Sequence, residues 1–237
     1  DLQDAARAAT ASAPSRVDDV EEARLPLLLL QQRYAEARSL GAVNTVRFDP
    51  DQTRGFNTDG PGFVRAVDDE FGQPLSTLKV MIVGAGGGAG QAIAAQCALQ
   101  AIEKLVDENR TVDKLDPLVN RLRALGPTTD ITALSFDDPR LIEECHACDL
   151  IVNTSSVGLK AGDPCILPAG CLKSGHLVYD TIYQPPVTPL LAAANELHCR
   201  TGNGLSLLIH QGVLAFQHWF PQTDPLAVMR QAMAPVS

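Results

Sequence analysis

Long apolar runs are missing from this 237-residue chain: the leucines at 27–30 make a run of only four, and nothing approaches eighteen. A membrane span is therefore not expected. Positive charge is also scarce. Nineteen Lys and Arg against 28 Asp and Glu leave a net charge of −9, which argues against a nucleic-acid surface. The six cysteines lack the dense spacing of a secreted disulfide scaffold. Cys145-His146-Ala147-Cys148 is a solitary CxxC, where zinc would need two further ligands and a redox motif would open a helix after a strand. Structural thiols in a reducing cytoplasm are expected. His146, His176, His198, His210 and His218 show no ligand spacing, so no metal site is expected; His210 and His218, eight apart, read as surface or packing residues. The chain opens on Asp1 rather than Met, with no signal-peptide pattern, and we expect sequence to precede it.

What is present is alternation. Residues 1–12 and 21–39 have helical spacing, 42–48 and 53–58 read as a strand pair, and 60–72 as a helix stopped by Gly72. A turn-prone linker near residue 76 marks a domain boundary. Beyond it, strands at 78–84, 103–109, 130–136, 149–155 and 175–183 alternate with helices at 89–100, 112–126 and 138–148. Helices over 187–198, 204–219 and 224–233 complete the chain. This pattern predicts an α/β fold, a Rossmann-like doubly wound parallel sheet, plus a smaller and incomplete α/β substrate domain. The expected division is 1–76 for the partial substrate domain, 77–202 for the dinucleotide domain and 203–237 for helices packing back.

Between the first strand of that sheet and its helix lies Gly84-Ala85-Gly86-Gly87-Gly88-Ala89, matching GxGxxA. The first glycine permits a tight turn, the second lets backbone approach a pyrophosphate, and the helix-terminal N–H groups hold its charge. The next strand ends in Asp107-Glu108-Asn109-Arg110-Thr111, with Lys114 close by. An acid there would hold an adenosine ribose and select NAD; an Arg with small polar neighbours would hold a 2′-phosphate and select NADP. Both types are present, and spacing alone leaves the choice open.

Several segments in fixed order resemble the shikimate/quinate dehydrogenase family: GAVNT (41–45), NTDG (57–60), VGAGGGAG (83–90), NRT (109–111), NTSSVG (153–158), YDTIYQPPVTPLL (179–191) and GNGLSLLIHQGVLAFQHWF (202–220). The resemblance implies a two-domain enzyme that reversibly reduces 3-dehydroshikimate with NADPH, on the route to aromatic amino acids. It implies NADP rather than NAD, with Asn109, Arg110 and Thr111 at the adenosine phosphate and Lys114 as a further, non-bidentate contact. It places Thr154, Ser155, Ser156 and Val157 beside the cofactor, and Thr181 and Gly204 near the nicotinamide. Asn44, Asp59, Tyr183 and Gln211 are the implied substrate contacts, with Asp59 catalytic. An amide both donates and accepts while a carboxylate only accepts, which suits the two O–H donors of a vicinal diol. Taken alone, Asn57, Thr58 and Asp59 would be read as a helix start. Ser206 stands where the family usually has Gly. A small-molecule substrate, no nucleic acid and no membrane are the expected partners, with a homodimer left open.

One feature of the family pattern has no counterpart. Its NVTxPxK segment supplies a lysine that pairs with the Asp of NTDG, yet no lysine precedes Lys79 here, and the strand pattern puts Lys79 at the start of the sheet. The SAPS at 12–15 does not fit the family's SxS carboxylate motif. Two expectations follow: a fragment of a longer enzyme, or a catalytically silent relative that binds NADP(H) or shikimate. A quinate/shikimate dehydrogenase using NAD through Asp107 is the third alternative.

Overall fold

The computed structural model describes residues 43–49, 53–109 and 115–234. The helices expected over 1–12 and 21–39 lie outside them, as do Arg110, Thr111 and Lys114. The described chain opens with a hairpin, β1 (Thr45–Phe48) and β2 (Thr53–Phe56), antiparallel with Thr45 opposite Phe56. Helix α1 (Asp59–Phe71) follows and ends at Gly72, whose φ of 62° suits a residue without Cβ.

Six strands then form one parallel sheet: β3 (Val80–Val83), β4 (Lys104–Glu108), β5 (Asp130–Leu134), β6 (Leu150–Asn153), β7 (Leu177–Asp180) and β8 (Arg200–Asn203). Their order is β5-β4-β3-β6-β7-β8. The chain thus winds outward from β3 in one direction and from β6 in the other. In such a sheet the reversal opens a crevice at the carboxyl ends of the two central strands. The connecting helices are α2 (Gly88–Leu99), α3 (Asp116–Leu125), α4 (Leu141–His146) and α5 (Pro189–Glu196). Helices α6 (Gly204–Trp219) and α7 (Leu226–Ala232) close the described chain.

Strand alternation sorts the core into two layers. Val80, Ile82 and Leu105 meet α1, α2 and α3 through Phe63, Val67, Ile93, Cys97, Leu118 and Leu122. Met81, Val83, Val106 and Ile151 meet α4 and α5 on the other face. All four residues of β3 are buried, as a strand covered on both sides requires. The β1–β2 hairpin is held to the far end of α6: Arg47 Nη1 donates to His218 O (2.8 Å), Trp219 Nε1 to Val46 O (3.0 Å), and the His218 ring stacks on Phe56 at 3.7 Å.

Among the described residues the strands and α-helices follow the sequence pattern except for the edge strand β8, which it omits. Arg200-Thr201-Gly202-Asn203 has no apolar residue to mark it, and only Gly202 is buried. Pairing with β7 makes it a strand. Lys79 lies just ahead of β3, its ammonium 2.9 Å from Glu103, at the sheet end opposite the crevice. All six cysteines are free thiols and five are buried. Among the described residues no His, Cys, Asp or Glu cluster is placed to hold a metal, and no helix is long and apolar enough to cross a membrane.

Candidate active site

The chain leaves β3 through Gly84, whose φ of 84° an L side chain rarely adopts. A Cβ there would also lie 2.8 Å from Ser155 Cβ, and one on Gly86 would lie 2.7 Å from Asn109 Nδ2. The glycine loop from β3, Asn109 after β4 and Ser155 after β6 therefore converge at adjacent strand ends. Gly87 caps α2, so that helix points its unpaired N–H groups at the same place. Gln91 steadies the loop by donating to Gly86 O (3.0 Å) while accepting from Arg121 Nη2 (3.1 Å). A cradle kept clear by missing Cβ atoms beside a helix N-terminus fits a pyrophosphate.

Asp107 does not serve this edge. It shares the strand face of Leu105, lies against Cys97 of α2 and is 0% exposed, with neither carboxylate oxygen hydrogen-bonded. Burial pushes its pKa up to about 7. A ribose beyond the strand end is out of its reach, which corrects the reading that Asp107 would select NAD.

Next along the sheet, Asn153 and Asp180 end β6 and β7 directly opposite each other. Both are fully buried and hydrogen-bonded, and Thr154 Oγ1 donates to Val83 O (3.0 Å). Thr181 N donates to Asn153 O (2.9 Å), and Gly204 N, opening α6, to Ile182 O (3.1 Å). Ser156 and Val157 continue the loop after β6. Tyr183 is 46% exposed and makes no hydrogen bond among the described residues.

A second polar cluster gathers where the hairpin meets α1 and α6. Asn44 precedes β1 and donates through Nδ2 to Asp59 Oδ1 (2.8 Å) and Thr58 Oγ1 (3.0 Å); its Oδ1 accepts from Thr58 N (3.0 Å). Thr58 Oγ1 lies 3.4 Å from Gln211 Oε1, and Gln211 Nε2 donates to Leu208 O (2.9 Å). Asn57, one residue ahead of the N-cap Thr58, accepts from Asp59 N through its Oδ1 (3.0 Å). Asp59 thereby keeps its own carboxylate for other partners. Partial burial raises its pKa, and the Asn44 hydrogen bond opposes that rise.

The structure thus joins Asn44, Asp59 and Gln211, with Thr58 as a link that the motifs alone read as a helix start. It also supplies Ser206 with a role: its Oγ lies 2.9 Å from the buried Tyr179 hydroxyl, which accepts from Leu207 N (3.1 Å). Asn153, Asp180 and Thr188 were missed as contributors, although all three fall inside the quoted motifs. Buried polar residues at consecutive strand ends were the available signal. His210 packs as a buried ring against Asp69 Oδ2 (3.2 Å).

Residues 204–234 match the shikimate 5'-dehydrogenase C-terminal domain family. A shikimate dehydrogenase (NADP(+)) from Alkaliphilus metalliredigens is 33% identical over 205 residues, covering 86% of this chain and 71% of that protein. Shikimate 5-dehydrogenase from Listeria monocytogenes, solved with shikimate and NAD, superposes with a TM-score of 0.78 at 30% identity, covering 85% of this chain and 71% of that one. The ligand-free 5-ketofructose reductase of Gluconobacter sp. strain CHM43 follows at 0.71 and 32%, covering 84% and 70%. A glycine cradle at the crevice, an Asn–Asp–Gln cluster where the hairpin meets α1 and α6, and relatives of this similarity over most of their length lead to one assignment: the chain belongs to the shikimate dehydrogenase family.

Proposed function

We propose that this chain is an NADP-dependent shikimate dehydrogenase, interconverting 3-dehydroshikimate and shikimate in the cytoplasm. The observation that carries the reading is the course of α6. Its first residue, Gly204, is bonded to the loop after β7, at the same carboxyl-end side of the sheet as the cradle. Gln211, seven residues and roughly 10 Å further along the helix, lies against the Asn44–Asp59 cluster. One rigid element therefore spans from the cofactor to the substrate hydroxyls.

When bound, NADPH supplies the hydride. The chain's residues orient the ring and manage the proton. Asn44 and Gln211 offer both donors and acceptors to a polyhydroxylated ring. The carbonyl oxygen needs a proton as the ketone becomes an alcohol, and Asp59 is the ionisable group of the cluster. Its raised pKa moves it toward the range where a general acid works near neutrality.

Absorbance at 340 nm with NADPH and 3-dehydroshikimate tests the activity directly, alongside an NADPH titration. Asp59→Asn is expected to lower kcat by at least about a hundredfold while leaving NADPH affinity within twofold. An equal fall in NADPH affinity would remove Asp59 from the substrate side.

A further inference from the structure

Asp180 sits beneath both loops that flank the crevice, and every group facing its carboxylate is a donor. Asn153 Nδ2 reaches Oδ1 and Oδ2 at 3.1 Å each, Ile182 N reaches Oδ1 at 3.0 Å, and the Thr188 hydroxyl reaches Oδ2 at 2.7 Å. The directions of these bonds are fixed from outside. Asn153 cannot turn its amide over, because its Oδ1 accepts from Ser155 N (3.0 Å) and Ser155 Oγ (2.7 Å) while Nδ2 also donates to Val157 O (3.2 Å). Thr188 Oγ1 accepts from Leu191 N (3.3 Å) as the cap of α5, leaving its proton for Asp180.

Each arm ends on a piece of the crevice. Ser155 is the residue that presses on Gly84. Ile182, pinned by its N–H to Asp180 and by its carbonyl to Gly204 N, directly precedes Tyr183. All three side chains at the centre, Asn153, Asp180 and Thr188, are 0–1% exposed. A buried, fully satisfied network of this kind holds its parts in one arrangement.

We propose that Asp180, acting through Asn153 and Thr188, is a positioning residue that sets the cofactor-flanking loop and the 181–183 segment in register for hydride transfer. The inference rests on the dehydrogenase reading above. An error of about 1 Å between reacting groups is enough to cost roughly a hundredfold in rate, so the network governs kcat more than binding.

The test compares the full 237-residue wild-type chain with Asp180→Asn, Thr188→Val and Thr188→Ser. For each, kcat and KM, the NADPH dissociation constant and stoichiometry, and the isotope effect with NADPH deuterated at the transferred position are measured. The amide in Asp180→Asn places an N–H against Ile182 N–H or Asn153 Nδ2. It is expected to lower kcat per binding-competent site about 10- to 100-fold, with NADPH affinity within threefold and a larger isotope effect. Thr188→Val, which keeps its shape but loses both the donor to Asp180 and the acceptor for Leu191 N, should fall between, and Thr188→Ser, which restores both, should return most of the rate. Should Asp180→Asn fail to fold, the Val and Ser pair decides the matter alone. Wild-type kcat and isotope effect in the Val variant and in any folded Asp180→Asn, or a loss confined to NADPH binding, would overturn the positioning role. A wild-type chain that neither turns over nor binds NADPH would instead overturn the dehydrogenase reading, and this inference with it.

Discussion

The Asn44 amide is the residue on which the polar cluster between the hairpin, α1 and α6 turns. Its nitrogen serves Asp59 and Thr58 while its oxygen serves Thr58 N, so one side chain fixes the carboxylate and the start of α1 together. Truncation to alanine removes a donor to Asp59, and the hydrogen bond it supplies is the one influence holding that pKa down against burial. Asn44→Ala should therefore raise the Asp59 pKa further. On the role proposed for Asp59, shikimate oxidation requires it ionised to accept the proton, so the rising limb of the pH–rate profile is expected to move to higher pH. The maximal rate should fall about tenfold. A profile measured between pH 5 and 9 that keeps its limb in place would show that Asn44 does not tune Asp59.

Among elements, the crossing of α1 and α6 decides whether that cluster exists. Gly62 lies against the backbone of Gln211: an added Cβ would be 2.9 Å from its N and 3.0 Å from its Cα. A main chain cannot swing aside as a side-chain tip can, so Gly62→Ala must force the helices apart. A loss of about 1–3 kcal/mol in stability is expected, with KM for the ring substrate rising more than the NADPH dissociation constant. Denaturant unfolding and steady-state kinetics check both. That glycine shows why some of the molecule was legible in the sequence and some was not. Gly84 and Gly86 stand in a strand–loop–helix frame and announce their work. Gly62 sits inside an amphipathic helix, and only the partner helix reveals its purpose. Likewise β3 declares itself by four apolar residues, whereas β8 exists because β7 offers an unpaired edge. Asp107 at a strand end looked like a ribose ligand until the strand's alternation turned it inward. Local pattern specified the elements; which polar groups face each other across elements did not follow from it.

For the whole molecule, the buried carboxylates make folding a proton-coupled event. Asp107 is the extreme case, with no hydrogen bond to either oxygen and a folded pKa pushed up to about 7 by burial, from an ordinary value of 3.8. A group whose pKa is raised on folding leaves stability intact below its unfolded value and withdraws it as pH climbs through the folded one. The withdrawal runs from about pH 4 to about pH 7 and, at 1.36 kcal/mol per unit, amounts to about 4 kcal/mol. Asp180 is raised in the same direction and adds to the slope, whereas the lowered pKa of Asp69, held by Arg230 and His210, acts oppositely and only at lower pH. Asp107→Asn keeps the shape and removes the titration. Urea unfolding of both chains should then give similar stabilities at about pH 4 and below, with the variant the more stable by several kcal/mol at pH 8. Equal slopes in the two chains would mean that Asp107 is ionised in the folded protein.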